Sequence, residues 1–230
     1  MHEQGTLSIV ATPIGNLGDV TLRALDTLKA ADMIAAEDTR VTSKLLSRYE
    51  IKKPLLSYHA RSGVRAGERI LGLLAEGKRI AFVTDAGTPG ISDPGTELVA
   101  LVRGRLGGEL RIEAVPGPSA LTAALSIAGL PTASFLFLGF APNKKGRQTL
   151  FNEIAEERRA VVLYESPHRI EKTLKALAEV LSDERRVAIC RELTKLHEEV
   201  VSGSAREVYE ACLSKHLPAR GEFVIVIGPC

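Results

Sequence analysis

The sequence predicts an α/β protein of two α/β domains, the first with a mostly parallel sheet and the second with a mixed one. Three observations point there. Short apolar runs alternate with helix-period segments through the first half, the pattern of a parallel sheet covered on both faces. Three of those runs end in glycine- and proline-rich loops, at 11–19 (ATPIGNLGD), 85–95 (DAGTPGISDPG) and 115–120 (VPGPSA). In the second half two strand-like segments follow each other with no helix between them, which calls for a mixed sheet. The domains are expected over 1–118 and 119–230, with the boundary within Pro116–Pro131.

Each element has a local reason. Leu7–Ala11 is a β-prone run, and the spacing of Leu22, Leu25 and Leu28 predicts a helix from Val20 to Ala31. Met33–Ala36 reads as a buried strand, followed by Glu37-Asp38-Thr39-Arg40 and a helix through Leu45, Leu46 and Tyr49. Leu55–Ser57 is a short strand, Val64–Glu76 a helix with an apolar stripe of Ile70, Leu73 and Leu74, and Ile80–Thr84 the next strand. Asp93 and Pro94 supply an N-cap and a first-turn proline for a helix to Arg105. Ile112–Val115 is a strand, and Ser119 caps a helix to Ala128.

The second half begins with strand Ser134–Leu138 and the basic loop 139–147 (GFAPNKKGR). A helix carrying Leu150, Phe151 and Ile154 follows, then strand Ala160–Tyr164. Ser166-Pro167 signals a helix running to Val180. Val187–Arg191 and Glu198–Gly203 are the consecutive strands. Ser204 and Glu207 form a capping-box pair for a helix through Cys212, and Glu222–Gly228 is the last strand.

Composition narrows the class. Apolar residues make up 45% and charged residues 25% of 230, ordinary for a globular protein with a sizeable core. The first residues carry no basic or apolar leader and no run has the length of a membrane span, so a cytoplasmic protein without membrane contact is expected. A net charge of +2 neither demands nor excludes nucleic acid. Cys190, Cys212 and Cys230 lack metal-ligand spacing and read as reduced thiols, so no metal is expected.

In an open α/β sheet ligands bind beyond the carboxyl ends of the strands, where all three loops fall, so one pocket for a small organic cofactor is expected there. A Walker loop is absent, and Gly15 and Gly18 are wrongly spaced for the dinucleotide fingerprint, which disfavours ATP and NAD. Each loop taken alone is also accounted for as a tight turn.

Six segments together carry a resemblance: 12–21 (TPIGNLGDVT), 36–40 (AEDTR), 85–95, 115–119, 164–169 (YESPHR) and 191–195 (RELTK). In this order they resemble one group of the tetrapyrrole-methylase superfamily, the small-subunit ribosomal RNA 2′-O-methyltransferases that act on a cytidine of the decoding region. The likeness runs from Leu7 to Gly228. It implies S-adenosylmethionine as methyl donor, bound in a cleft between the domains, and a homodimer acting on small-subunit ribosomal RNA or the assembled subunit.

By matching motif positions, the resemblance implies cofactor contacts at Pro13, Ile14, Asp85, Thr88, Ile91, Ser119 and Ala120, with Tyr164 and Leu193 from the second domain. Ser119 is also accounted for as a plain helix cap, and Ile91 and Leu193 as core residues. Loops without lysine suit a sulfonium and a zwitterionic amino acid better than a phosphate. A ribose hydroxyl needs its proton removed or its oxyanion stabilised, so Asp38 and Glu37 are candidate bases, Arg40 a candidate anion stabiliser and Glu165 a further candidate base. Residues 37–40 read equally as a helix cap with an ion pair.

For RNA, Lys144, Lys145 and Arg147 form the best basic patch, joined by Arg40, His59, Arg61, His168 and Arg169. A solvated loop and a helix first turn are the plain alternatives. With 4% aromatic residues, shape recognition of a flipped-out nucleotide fits better than extended base stacking. The rival readings are a tetrapyrrole carbon methyltransferase, a non-catalytic cofactor-binding ribosome-assembly factor and, more remotely, a nucleotide-dependent enzyme.

Overall fold

The computed structural model describes residues 5–59, 63–107 and 110–230. They fall into two compact units, Met1–Ser119 and Ala120–Cys230.

The first unit runs β1 (Thr6–Val10), α1 (Leu22–Ala30), β2 (Met33–Ala36), α2 (Thr39–Arg48), β3 (Leu55–Ser57), α3 (Gly63–Ala75), β4 (Arg79–Val83), α4 (Gly95–Leu106) and β5 (Arg111–Val115). The strands lie in the order β3-β2-β4-β1-β5, every pairing parallel. Side chains alternate across the sheet, and β4 displays the consequence. Ala81 and Val83 join Leu25 and Leu28 of α1 and Leu45 and Leu46 of α2 in one core. Ile80 and Phe82 join Ile70 and Leu74 of α3 and Leu98 and Val102 of α4 in another. Helices thus cover both faces, as continuous apolar strands require. The chain therefore leaves β2 toward one face and the adjacent β4 toward the other, which makes the β2–β4 carboxyl edge a topological switch point of the sheet, as β4–β1 is on its other side.

The second unit runs α5 (Ala120–Ile127), β6 (Phe135–Phe140), α6 (Arg147–Glu156), β7 (Ala160–Glu165), α7 (Ile170–Val180), β8 (Arg186–Arg191), β9 (Glu199–Ser204), α8 (Ala205–Leu213) and β10 (Phe223–Ile227). Its sheet has the order β6-β7-β10-β8-β9, with only β6 and β7 parallel. The mixed sheet expected from consecutive strands is therefore present. One face packs on α6, α7 and α8 through Phe151, Leu174, Leu177 and Val208. On the other, α5 meets β10, and the Cys190 thiol lies 3.8 Å from the Ala124 carbonyl. The capping box at α8 forms in full, Ser204 receiving Glu207 N–H and Glu207 receiving Ser204 N–H.

Two helix starts differ from expectation. Asp93 does not cap α4, whose N-cap residue is Pro94. Its Oδ1 instead accepts the Gly90 and Gly95 N–H groups at 2.7 and 2.8 Å, tightening the preceding loop. A Cβ at Gly95 would stand 2.7 Å from Gly90 N, so the turn admits only glycine there. Similarly, α7 begins at Ile170, because the Ser166 carbonyl accepts both Arg169 and Ile170 N–H and makes a turn first.

Candidate active site

The three glycine- and proline-rich loops are tied to one another. Thr12 and Gly87 exchange two backbone hydrogen bonds, each 3.0 Å, joining the loop after β1 to the loop after β4. Gly87 adopts φ +80, a left-handed conformation that a side chain would resist. The Thr88 hydroxyl donates to the Pro118 carbonyl at 3.1 Å, joining the second loop to the third. Pro13 and Ile14 are buried behind this junction, Thr88 is half-buried and Ile91 is exposed. The structure thus gathers Pro13, Ile14, Asp85, Thr88 and Ile91 at one edge of one sheet, with Ser119 following directly on the third loop.

At the switch point the carboxylates interlock. Glu37 follows β2 and Asp85 follows β4, and these strands are paired with Ala36 opposite Val83. Asp38 N–H donates to Asp85 Oδ1 at 3.0 Å, and Asp85 N–H makes a long contact of 3.4 Å with Glu37 Oε2. Partial burial raises the Glu37 pKa above the ordinary glutamate value, with Asp85 N–H opposing and the charges of Asp85 and Asp93 adding to it. Partial burial also raises that of Asp85, against the Asp38 N–H bond. Among the described residues the buried Thr84 hydroxyl finds no hydrogen-bond partner, a feature that the sequence did not signal because Thr84 reads as an ordinary strand end.

Asp38 has a different environment. It caps α2 through Arg40 N–H at 2.8 Å and holds the Arg40 guanidinium at 3.0 and 2.6 Å. The Arg40 hydrogen bond pulls its pKa down to about 2. The cap and ion pair read at residues 37–40 are formed by Asp38 and Arg40, while Glu37 stands outside both. Arg40 remains 88% exposed at the rim.

In the second unit, the Tyr164 hydroxyl accepts Leu121 N–H at 3.1 Å, satisfying a first-turn donor of α5, and its ring meets Phe137 and Phe140 edge-on. This sets Tyr164 beside the helix that opens at Ala120. Leu193 is buried in the turn after β8, between Glu192 and Thr194, which both have positive φ (50 and 65). A β-branched residue in that region is strained, and the buried Thr194 hydroxyl has no partner among the described residues. Nothing in the sequence signalled that strain.

Glu165, expected as a possible base, is instead enclosed, with 0% of its side chain exposed. It accepts Ser166 N–H at 2.8 Å and the Thr173 hydroxyl at 2.6 Å, and pairs with Arg169 at 2.8 Å and Arg147 at 3.9 Å. Arg147 and Arg169, expected to meet RNA, face inward for the same reason. Arg147 also bonds Thr173 and the Pro142 carbonyl, and Arg169 bonds the Ala141 carbonyl and Asn143. Arg147 opens α6 and Arg169 precedes α7, and the sequence could not tell that a buried carboxylate claims both. Lys144, Lys145, His168 and His59 are exposed, whereas Arg61 lies outside the described residues. Among the described residues no group of three or more His, Cys, Asp or Glu is arranged to hold a metal ion.

Comparisons with known proteins agree with this architecture. The family model of tetrapyrrole (corrin/porphyrin) methylases matches residues 6–209. Ribosomal RNA small subunit methyltransferase I of Thermotoga maritima is 47% identical over 97% of this chain and 98% of its own length. The Bacillus subtilis protein of that name is 43% identical over 98% of this chain and 75% of its own. Among solved structures, uroporphyrin-III-C-methyltransferase from Thermus thermophilus superposes with a TM-score of 0.67 at 22% identity, covering 97% of this chain and 94% of that one. A cobalt precorrin-4 methyltransferase gives 0.68 at 19% identity, covering 98% and 95%. Those two identities establish a shared fold, while the near-full-length relatives carry the closer kinship. The chain belongs to the tetrapyrrole (corrin/porphyrin) methylase family, in its ribosomal RNA small subunit methyltransferase I group.

Proposed function

We propose that this protein methylates the 2′-hydroxyl of a cytidine ribose in the decoding region of small-subunit ribosomal RNA, with S-adenosylmethionine as donor. The observation that carries the reading is the tying of three strand-end loops at the carboxyl edge of the first sheet, beside paired carboxylates and an orphaned threonine hydroxyl. That set fits the donor, because carboxylates and carbonyls attract a sulfonium, while backbone amides and a hydroxyl suit its amino-acid and ribose groups. The cofactor contacts in this reading are Pro13, Ile14, Asp85, Thr88, Ile91 and Ser119 of the first unit and Ala120, Tyr164 and Leu193 of the second. Once bound, the donor supplies an electrophilic methyl group on a good leaving group, so holding the ribose in line is the protein's main task.

In this reading Arg40, exposed and held by Asp38, neutralises a phosphate or the developing oxyanion. Lys144, Lys145, His168 and His59 are the RNA-facing residues of this reading, binding phosphates in a salt-dependent manner. A tetrapyrrole substrate is disfavoured: the proteins with tetrapyrrole names are those at 22% identity or less, whereas relatives at 43–47% are named for ribosomal RNA. The reading is completed by a cytoplasmic homodimer, for which a solution mass of twice 24.7 kDa is expected by sedimentation equilibrium.

Ribose-methylation mapping of ribosomal RNA from cells with and without the protein tests the proposal. One decoding-region cytidine ribose should lose its methyl group in the deletion strain. An unchanged map, or incorporation of labelled methyl only into a porphyrinoid, would overturn it.

A further inference from the structure

We infer that Glu37, rather than Asp38 or Glu165, receives the proton of the attacking ribose hydroxyl. The inference rests on the 2′-O reading above and identifies the group that completes its chemistry.

Three carboxylates entered as candidate bases, and geometry separates them. Asp38 has both oxygens on Arg40, one of them also on the cap of α2, so protonating it would break the ion pair and loosen the helix start. Glu165 is sealed in the second unit by two arginines, a threonine and a backbone N–H, with no exposed side-chain surface. Only Glu37 is both half-buried and short of partners, its one described hydrogen bond being the 3.4 Å contact from Asp85 N–H.

Position supports the same choice. Glu37 stands at the carboxyl end of β2, and the chain leaves β2 and β4 toward opposite faces, the arrangement beyond whose strand ends ligands bind in open α/β sheets. Asp85, one of the proposed cofactor contacts, borders it from β4. The charged groups facing Glu37 are Asp85 after β4, Asp93 before α4 and His59 after β3. Asp38 and Arg40 act on Asp85 in turn. Two acidic neighbours and partial burial disfavour the ionised form of Glu37, which makes it a better proton acceptor than an ordinary surface glutamate.

The step balances without a further reagent. The hydroxyl proton moves to a Glu37 carboxylate oxygen, and the ribose oxygen's electron pair forms the new O–C bond. The S–C pair departs on sulfur, giving the neutral thioether. Glu37 then returns its proton to water.

The experiment compares wild type, Glu37→Gln and Glu37→Asp in single-turnover methyl transfer to small ribosomal subunits between pH 5 and 9. Donor binding is followed by calorimetry and the Glu37 carboxyl by 13C NMR titration of the free protein. Glu37→Gln should slow transfer by roughly 100-fold or more with donor binding within about twofold of wild type. Its residual rate should lack the wild-type fall toward acid pH, while Glu37→Asp should keep that fall at a reduced rate. The NMR titration should lie above the ordinary glutamate value. A Glu37→Gln variant that keeps at least half the wild-type rate, or keeps the same acid limb, would overturn the assignment. Methylation by wild type at a base atom instead of the ribose would remove the reading beneath it, an outcome told apart by nucleoside mass spectrometry of the product.

Discussion

Two glutamates close two strands of this molecule, Glu37 beyond β2 and Glu165 at the end of β7, and their surroundings are opposite. Glu165 has an amide, a hydroxyl and two guanidinium groups within reach, all inside the second unit. Glu37 has one long hydrogen bond and two acidic neighbours. A saturated carboxylate has no lone pair to offer a substrate and holds its neighbours in place. An under-coordinated one keeps lone pairs that a substrate's proton can use. Sequence alone suggests the same role for both, since each stands at a strand end before a helix. On the assignment proposed for Glu37, their surroundings give them opposite ones.

The largest effect that would sharpen this contrast is on stability. Glu165→Ala leaves Arg147 and Arg169 facing each other without their counter-charge. Breaking a buried pair from one side costs about 3–5 kcal/mol. Urea unfolding should register that loss, whereas Glu37→Ala should stay within about 1 kcal/mol of wild type. Equal stability of the two variants would break the comparison.

The second unit contains another buried charge that follows the same logic. Arg185, 4% exposed, donates to the carbonyls of Gly228, Ile154, Ala155 and Glu157, satisfying the C-terminal end of α6 without any carboxylate. Arg185→Met should cost about 2–4 kcal/mol, because several buried acceptors lose their donor together. Thermal unfolding checks it. A neutral result would show that water replaces the guanidinium and that saturation is not what holds this unit.

The basic loop divides along the same line. Lys144 and Lys145 are exposed, but Arg147 is only 17% exposed and engaged with Thr173 and Glu165. Replacing both lysines with alanine should weaken RNA binding by about tenfold and lower the salt dependence of log affinity by roughly 1–2 units, with donor binding intact. Arg147→Ala should instead lower stability and leave the salt slope of the folded protein unchanged. Filter binding over a salt series distinguishes them.

Much of the fold was legible because its signals are local. Met33–Ala36 and Leu55–Ser57 form strands with the bounds that the apolar pattern predicts, and the Ser204–Glu207 box forms as read. The three glycine- and proline-rich loops were legible for a similar reason, since glycine and proline mark sharp turns wherever they occur. What the sequence withheld depends on contacts between distant residues. Asp38 and Asp85, 47 positions apart, meet only because β2 lies beside β4, an order that no periodicity encodes. Likewise, Glu165 is sealed by Arg147, whose loop reads as solvent-exposed until α6 and α7 pack together. The choice among carboxylates was therefore open in the sequence and is narrowed by topology.

The smallest predicted effect is the most particular to the proposal. A carboxyl whose folded pKa is raised holds its proton more tightly when folded, so its contribution to stability is present at acid pH and lost as pH rises through the folded value. Ionised Glu37 at neutral pH is thus a slight liability, and Glu37→Gln, equal in size but uncharged, should stabilise the protein. For a half-exposed group, solvent screening limits the gain to about a few tenths of a kcal/mol. Asp38 has the opposite sign: its folded pKa of about 2 means that Asp38→Asn destabilises at neutral pH, and that the difference shrinks as pH falls toward that value. Differential scanning calorimetry of both variants at pH 7 and pH 4 reads these trends. A Glu37→Gln protein that melts above wild type while losing its chemistry is the behaviour of a site selected for reactivity at some cost in stability. If it melts below wild type at pH 7, ionised Glu37 is a structural partner after all, and the contrast with Glu165 collapses.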